Sequence, residues 1–202
     1  MNSLNHLAII LSIFFGVKIP QVAAQPIDFS TYNEQHLQIR KGAMWTLGSW
    51  ALVNITGGMI LRSQQTGSSR YFHEMNAIWN TVNLGIALPS LIGAYKTEVS
   101  QIDRITALKS QQAIERVLML NIGLNTGYIA GGAYLIERSK RLDSKIKPER
   151  LKGYGQSLLL QGGFLLLFDI SQYLLYHRNG KKVGPALLGQ LRVTGQGLSL
   201  SY

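Results

Sequence analysis

The stretch YGQSLLLQGGFLLLFDISQYLLY, residues 154–176, decides how this chain is read. It is dense in Leu and Phe, and the only side chain in it expected to carry charge is Asp169. A hydrocarbon core about 30 Å thick takes about 20 helical residues to cross, and this run has that reach. Residues 43–61, 76–95 and 117–136 are runs of the same kind, and none of them contains Asp, Glu, Lys or Arg. The pattern predicts an all-α membrane protein built as a bundle of four transmembrane helices. The mean hydropathy of +0.08 is modest because it averages these runs with strongly charged connections.

A chain of 202 residues has room for one domain. Its formal charge of +10 invites a nucleic-acid reading. That reading is excluded, because Lys and Arg sit at helix ends and in loops and form no continuous basic face. Basic residues beside a membrane are ordinarily anchors and contacts for anionic lipid. The expected partners are therefore membrane lipids, anionic ones included, with a second copy or another membrane protein as further candidates. The absence of cysteine removes disulfides, thiolate chemistry, iron–sulfur clusters and Cys-ligated zinc.

The N-terminus reads as a secretion signal, residues 1–24. Residues 7–17 form an apolar run too short to span, Pro20 breaks it, and Val22-Ala23-Ala24 supplies small residues for cleavage. An extracytoplasmic segment (25–42), the four-helix domain (43–177) and an extracytoplasmic tail (178–202) follow. Alternation then places the loop after the third span in the cytoplasm. That loop holds Arg138, Lys140, Arg141, Lys145, Lys147, Arg150 and Lys152, as cytoplasmic loops favour. Trp45, Tyr95 and Tyr176 fall near the outer span ends, and Trp79, Tyr134 and Tyr154 near the inner ones, the depth that amphipathic rings prefer.

Two connections carry patterns of their own. Ser100 and Asp103 resemble a capping box, and Val99, Ile102, Ile105 and Leu108 recur at helical spacing. They predict a short amphipathic helix at the membrane surface or an extension of the third span. In the tail, residues 191–194 and 198–202 alternate with period two around Gly195 and Gly197, which gives the tail β character.

Polar groups inside the spans must face the bundle interior, because they are costly in hydrocarbon. Asn76, Asn80 and Asn83 share one face of the second span, as Asn121, Asn125 and Tyr128 do on the third. Asp169, Gln172, Tyr173 and Tyr176 share a face of the fourth, with Gln161 two turns earlier; the first span offers Asn54. Depths from a rise of about 1.5 Å per residue bring these groups together near the midplane. The candidate polar core or ligand site is thus Asp169, Asn125, Asn121, Asn83, Asn80, Asn54 and Gln172. Asp169 is expected at the level of Asn125, with amides of the first or second span in reach. Gly123, Gly127 and Gly131 form a small-residue stripe about 160° from the asparagines and are expected to pack helices.

No catalytic residue is nominated. No His/Asp/Glu set has zinc spacing, so no metal is expected. His73 and His177 fall at opposite ends of the spans, which bars shared ligation of one haem iron, and no other cofactor is implied. The chain leans away from enzymes.

Three stretches, MNAIWNTVN (75–83), NIGLNTGY (121–128) and the run from GYGQ through QGGF to Phe168-Asp169, resemble a family of uncharacterised membrane proteins of Bacteroidota known as a domain of unknown function. The resemblance covers residues 40–178. It implies a bacterial envelope location, here a multi-pass protein of the inner membrane, and it supplies no activity. The function expected is a non-enzymatic envelope protein that binds a lipid, small ligand or membrane partner through its polar cluster. The alternative is a small transporter or ion-coupled component in which Asp169 titrates.

Overall fold

A computed structural model describes residues 29–141, 146–181, 191–194 and 197–200. Four long helices make up the first of two compact units: α1 (Phe29–Gln64), α2 (Gly67–Lys96), α3 (Arg104–Arg138) and α4 (Pro148–Gly180). The signal expected at 1–24 lies outside the described residues. In the other unit, β1 (Leu191–Thr194) pairs antiparallel with β2 (Gly197–Leu200), Leu191 opposite Leu200 and Thr194 opposite Gly197.

The helices are longer than the apolar runs within them. α1 begins at Phe29 rather than Ala43, so much of the expected extracytoplasmic segment is its first turns. Only Gln65 and Thr66 separate α1 from α2, and Gly67 takes the turn with φ of +58°, a conformation that costs glycine little. So short a connection forces the two helices antiparallel. The second expected loop is mostly the start of α3. Asp103 rather than Ser100 caps it, accepting hydrogen bonds from the backbone N–H of Ile105 (2.9 Å) and Thr106 (3.0 Å). Val99–Gln101 forms a single 3-10 turn ahead of it. Pro148 opens α4 at a position where its missing N–H is harmless.

Two helical hairpins result, α1 on α2 and α3 on α4, joined mainly by the parallel pair α2 and α4. The upper end is where α1 and α3 begin and α2 and α4 finish; the lower end is the opposite one. Close approach of α3 to α4 depends on Gly132 and Gly155. A Cβ on Gly155 would come within 2.6 Å of the Gly132 carbonyl oxygen, and one on Gly132 within 2.8 Å of the Gly155 carbonyl oxygen. Gly153 lies equally close to the Ser68 backbone of α2. The predicted packing stripe is elsewhere: Gly123, Gly127 and Gly131 meet nothing within 4 Å of where a Cβ would stand. The reason is rotational, since the α3 face that meets α4 is the one bearing Asn125, Ile129 and Gly132.

Among the described residues the interior mixes polar groups with small apolar ones, and many large apolar side chains lie outside. Asn80, Ser157 and Gln161 are wholly buried, while Val53 and Leu167 are each 69% exposed. Among the described residues two helices, α2 and α4, have the length and hydropathy to cross a membrane, and less than a quarter of each apolar window is buried. The corresponding stretches of α1 and α3 fall short by that measure, so the four-span expectation is met for two helices.

Candidate functional site

The polar interior forms two layers and, above them, a cavity. The lower layer centres on Gln161 of α4. Its Nε2 donates to Asn54 Oδ1 of α1 (3.2 Å) and to Asn76 Oδ1 of α2 (3.0 Å), and its Oε1 accepts from Trp50 Nε1 (2.9 Å). Ser157 Oγ donates to the same Asn76 oxygen at 2.6 Å. The ladder continues along α2, with Asn80 donating to the Asn76 carbonyl and Asn83 donating to Asn80 Oδ1. Trp50 also stacks on Phe164, with ring centroids 3.8 Å apart. Three helices are thus joined through the Gln161 amide, whose nitrogen and oxygen both bond to other helices, an arrangement suited to fixing helix register.

The second layer lies two turns higher on α4, about 12 Å by helical rise. There Asn125 Nδ2 of α3 donates to Asp169 Oδ2 at 2.6 Å, with the side chain of Asn121 close enough to influence that carboxyl. Asp169 therefore does meet Asn125, as its depth implied. Asn54, Asn76, Asn80 and Asn83 bond in the lower layer instead, so the single cluster read from the sequence separates into two. Depth along each helix was readable to about a turn, whereas the rotation of one helix against another was not.

The cavity occupies the upper end, has a volume of about 330 Å³ and is bordered by all four helices. Its α1 wall includes Tyr32, His36 and Arg40, one residue per turn, with Asn33, Leu37, Ala43 and Met44 beside them. Tyr32 Oη donates to Gln111 Oε1 (3.0 Å), and Gln111 Nε2 donates to the Tyr176 carbonyl oxygen (2.8 Å) and to Glu115 Oε1 (2.8 Å). Burial, with help from Glu115, pushes the Tyr32 hydroxyl up to about 12, so it stays protonated. His36 packs on the Tyr176 ring at 4.8 Å. Burial holds its imidazole below the ordinary value; a side-chain hydrogen bond with Gln111 opposes this, and Arg40 adds to it. Arg40 Nε donates to Ser90 Oγ of α2 at 3.3 Å.

Two buried polar atoms bordering this cavity have no hydrogen-bond partner among the described residues: His36 Nδ1 and Gln172 Oε1. Of the residues nominated from sequence, Gln172 alone lines the cavity, with Phe168 beside Asp169 forming part of the same wall. Tyr32, His36 and Arg40 precede the apolar run that begins at Ala43, and Gln111 precedes the one that begins at Val117, so hydropathy did not single them out. The signal available was their spacing, since Tyr32, His36 and Arg40 recur every fourth residue. Tyr176 was expected in an outer aromatic belt and is instead buried against His36. Trp45 and Tyr95 are both exposed, with Trp45 Nε1 donating to Tyr95 Oη (3.1 Å) and Lys41 lying over the Tyr95 ring. Among the described residues no three His, Asp or Glu side chains are grouped as metal ligands.

No curated protein and no solved structure matches this chain. Residues 46–170 match the model of a family of unknown function, a span that contains every member of both polar layers and all three of the stretches singled out in the sequence. That match covers more than half of the molecule, and the chain belongs to this family, DUF6992.

Proposed function

We propose that this chain is a non-enzymatic, four-pass protein of the bacterial inner membrane that holds a lipid or small ligand in its polar interior at the upper end. The observation that carries the reading is the pattern of burial: amides and an acid are buried among small apolar residues while Leu, Ile and Val are widely exposed. Such a surface is stable only against an apolar surrounding. Length supports four spans. The uncharged stretches 42–61, 75–95 and 117–136, and the stretch 153–176 interrupted only by Asp169, each cover about 30 Å of helix. The cluster of Lys and Arg at the end of α3 and the start of α4 supports a cytoplasmic lower face. The cavity, with its two unpartnered polar atoms, is the best place for a ligand.

The test is whether the protein resists alkaline extraction from membranes, combined with reporter fusions after Lys140 and after Lys181. A periplasmic reporter should be active only at Lys181, with small molecules co-purifying from native membranes. Extraction by alkali, or activity at Lys140, would overturn the reading.

A second reading, an ion-coupled transporter, is favoured by the burial of Asp169 with only amide partners. Its test is Asp169→Asn in proteoliposomes. Loss of a pH-dependent flux with unchanged folding supports it, and a flux that survives the change removes it.

A further inference from the structure

Arg40 stands apart from the other charged residues of the bundle. It is the only charged side chain lining the upper cavity, whose remaining residues include neither acid nor lysine. Among the described residues it makes no ion pair; its polar contact is the neutral Ser90 hydroxyl. A guanidinium keeps its charge under any condition the fold survives. Held half-buried in a low-dielectric setting without a counter-ion, it is costly. An anion in the cavity would relieve that cost, and its planar fork suits the two oxygens of a carboxylate or phosphate.

The rest of the lining is mixed above an apolar floor. Nearest the upper end are Tyr32, Asn33 and Tyr176 together with the apolar Ile102 and Ala107. Farthest down α1, α3 and α4 are Met44, Leu118 and Phe168, all apolar. Between them, Gln172 Oε1 lacks a donor and His36 Nδ1 lacks a partner. A bare inorganic anion would satisfy Arg40 and leave both the apolar floor and the Gln172 oxygen unmatched. A molecule with an oxyanion, a neighbouring hydroxyl and an apolar chain would match all three.

We infer that the upper cavity binds an anionic amphiphile, its oxyanion on Arg40, a hydroxyl donating to Gln172 Oε1, and its chain over Met44, Leu118 and Phe168. The inference rests on the reading of the protein as a membrane-embedded ligand binder and names the ligand class. The occupant differs from annular lipid, which basic surface residues attract without a cavity. Lys41, next in sequence but placed over the Tyr95 ring, belongs to that surface set.

The experiment uses the full chain in neutral detergent, titrated by native mass spectrometry with dioleoyl phosphatidylglycerol, dioleoyl phosphatidylcholine and inorganic phosphate. Wild type should retain one phosphatidylglycerol in preference to phosphatidylcholine. Arg40→Gln should weaken that binding about tenfold or more, as loss of a charge-assisted bond requires. Arg40→Lys should fall between them, and Lys41→Gln should leave it unchanged. Met44→Trp fills the apolar floor without touching the guanidinium; it should reduce lipid retention while the thermal midpoint stays near that of wild type. Equal retention by Arg40→Gln and wild type overturns the inference, as does equal loss in Lys41→Gln. Arg40-dependent retention of phosphate without phosphatidylglycerol replaces the amphiphile by a free oxyanion and also overturns it. Flotation with phosphatidylcholine vesicles separates the two failures. A chain that does not float refutes the membrane reading, whereas one that floats with an indifferent Arg40 refutes this inference alone.

Discussion

Gln161 shows how one side chain can organise an interior that apolar packing does not. Its amide spends both ends on other helices, and Asn54, Asn76 and Trp50 each lose a partner if it is removed. Hydrogen bonds between membrane helices contribute about 0.6 kcal/mol on average and up to about 2 kcal/mol. Gln161→Leu, close in volume, should therefore destabilise the bundle by roughly 1–3 kcal/mol, read from detergent unfolding; a variant as stable as wild type would show that the layer is decorative. His36 makes a prediction with a definite sign. Its folded-state value lies below the ordinary 6.5, with burial the main cause. Above 6.5 folded and unfolded chains both hold it neutral, and it does not affect stability. As pH falls below 6.5 the unfolded chain takes up the proton first, so stability drops until the folded-state value is passed. The thermal midpoint should therefore fall as pH drops below about 6.5, before Glu74 titrates, because its hydrogen bond from Tyr154 holds that carboxyl below the usual 4.5. His36→Phe should fall less, and equal falls would assign the effect to another group. The sequence face that carries Asn76, Asn80 and Asn83 was legible from spacing alone. Their partners were not, because Ser157 and Gln161 lie on a different helix and nothing in the order of residues states the angle between the two.

At the scale of the elements, the apolar runs located all four long helices but misplaced their ends. Apolar runs mark the part of a helix that an apolar surrounding covers; the helix continues wherever its backbone bonds and neighbours permit. Phe29 to Gly42 and Arg104 to Arg116 are such continuations, and they build the walls of the upper cavity. Glycine placement shows a similar limit. Of the four glycines on α3 only Gly132, outside the stripe singled out in the sequence, meets a neighbouring helix, whereas Gly123, Gly127 and Gly131 have open space where a Cβ would stand. The contrast can be tested by one methyl group. Gly155→Ala presses a Cβ to within 2.6 Å of the Gly132 carbonyl oxygen and must part α3 from α4. Overpacking of that kind costs about 1–3 kcal/mol. Gly127→Ala meets nothing and should be neutral or stabilising by up to about 1 kcal/mol, the gain in helix propensity. Thermal midpoints that move alike in the two variants would contradict the assignment of the packing face.

For the whole molecule, the proposed four-pass reading requires lipid around all four helices, and the absence of cysteine makes that directly testable. α2 and α4 have the hydropathy of membrane spans, while α1 and α3 are diluted by Asn, Thr, Gly and Trp. Those diluting residues differ in where they lie. Asn125 of α3 is buried and bonded inside, whereas Val53 and Leu124, on the same two helices, lie on the outside. Average hydropathy counts an inward amide against a helix even when lipid never meets it, so a bundle with a polar interior scores as less membranous than its surface is. Single cysteines replacing Val53, Ile86, Leu124 and Leu167 report on one exposed position per helix. If lipid surrounds all four helices, none of these cysteines should react with a water-soluble maleimide in intact membranes, and all four should react once the protein is unfolded in detergent. A cysteine replacing Lys140, exposed at the lower end, should react in open membranes and serve as the positive control. Labelling of Val53→Cys and Leu124→Cys in membranes, with Ile86→Cys and Leu167→Cys protected, would leave α2 and α4 as the only spans. Protection of all four follows if the exposed Leu, Ile and Val are the face this fold presents to hydrocarbon.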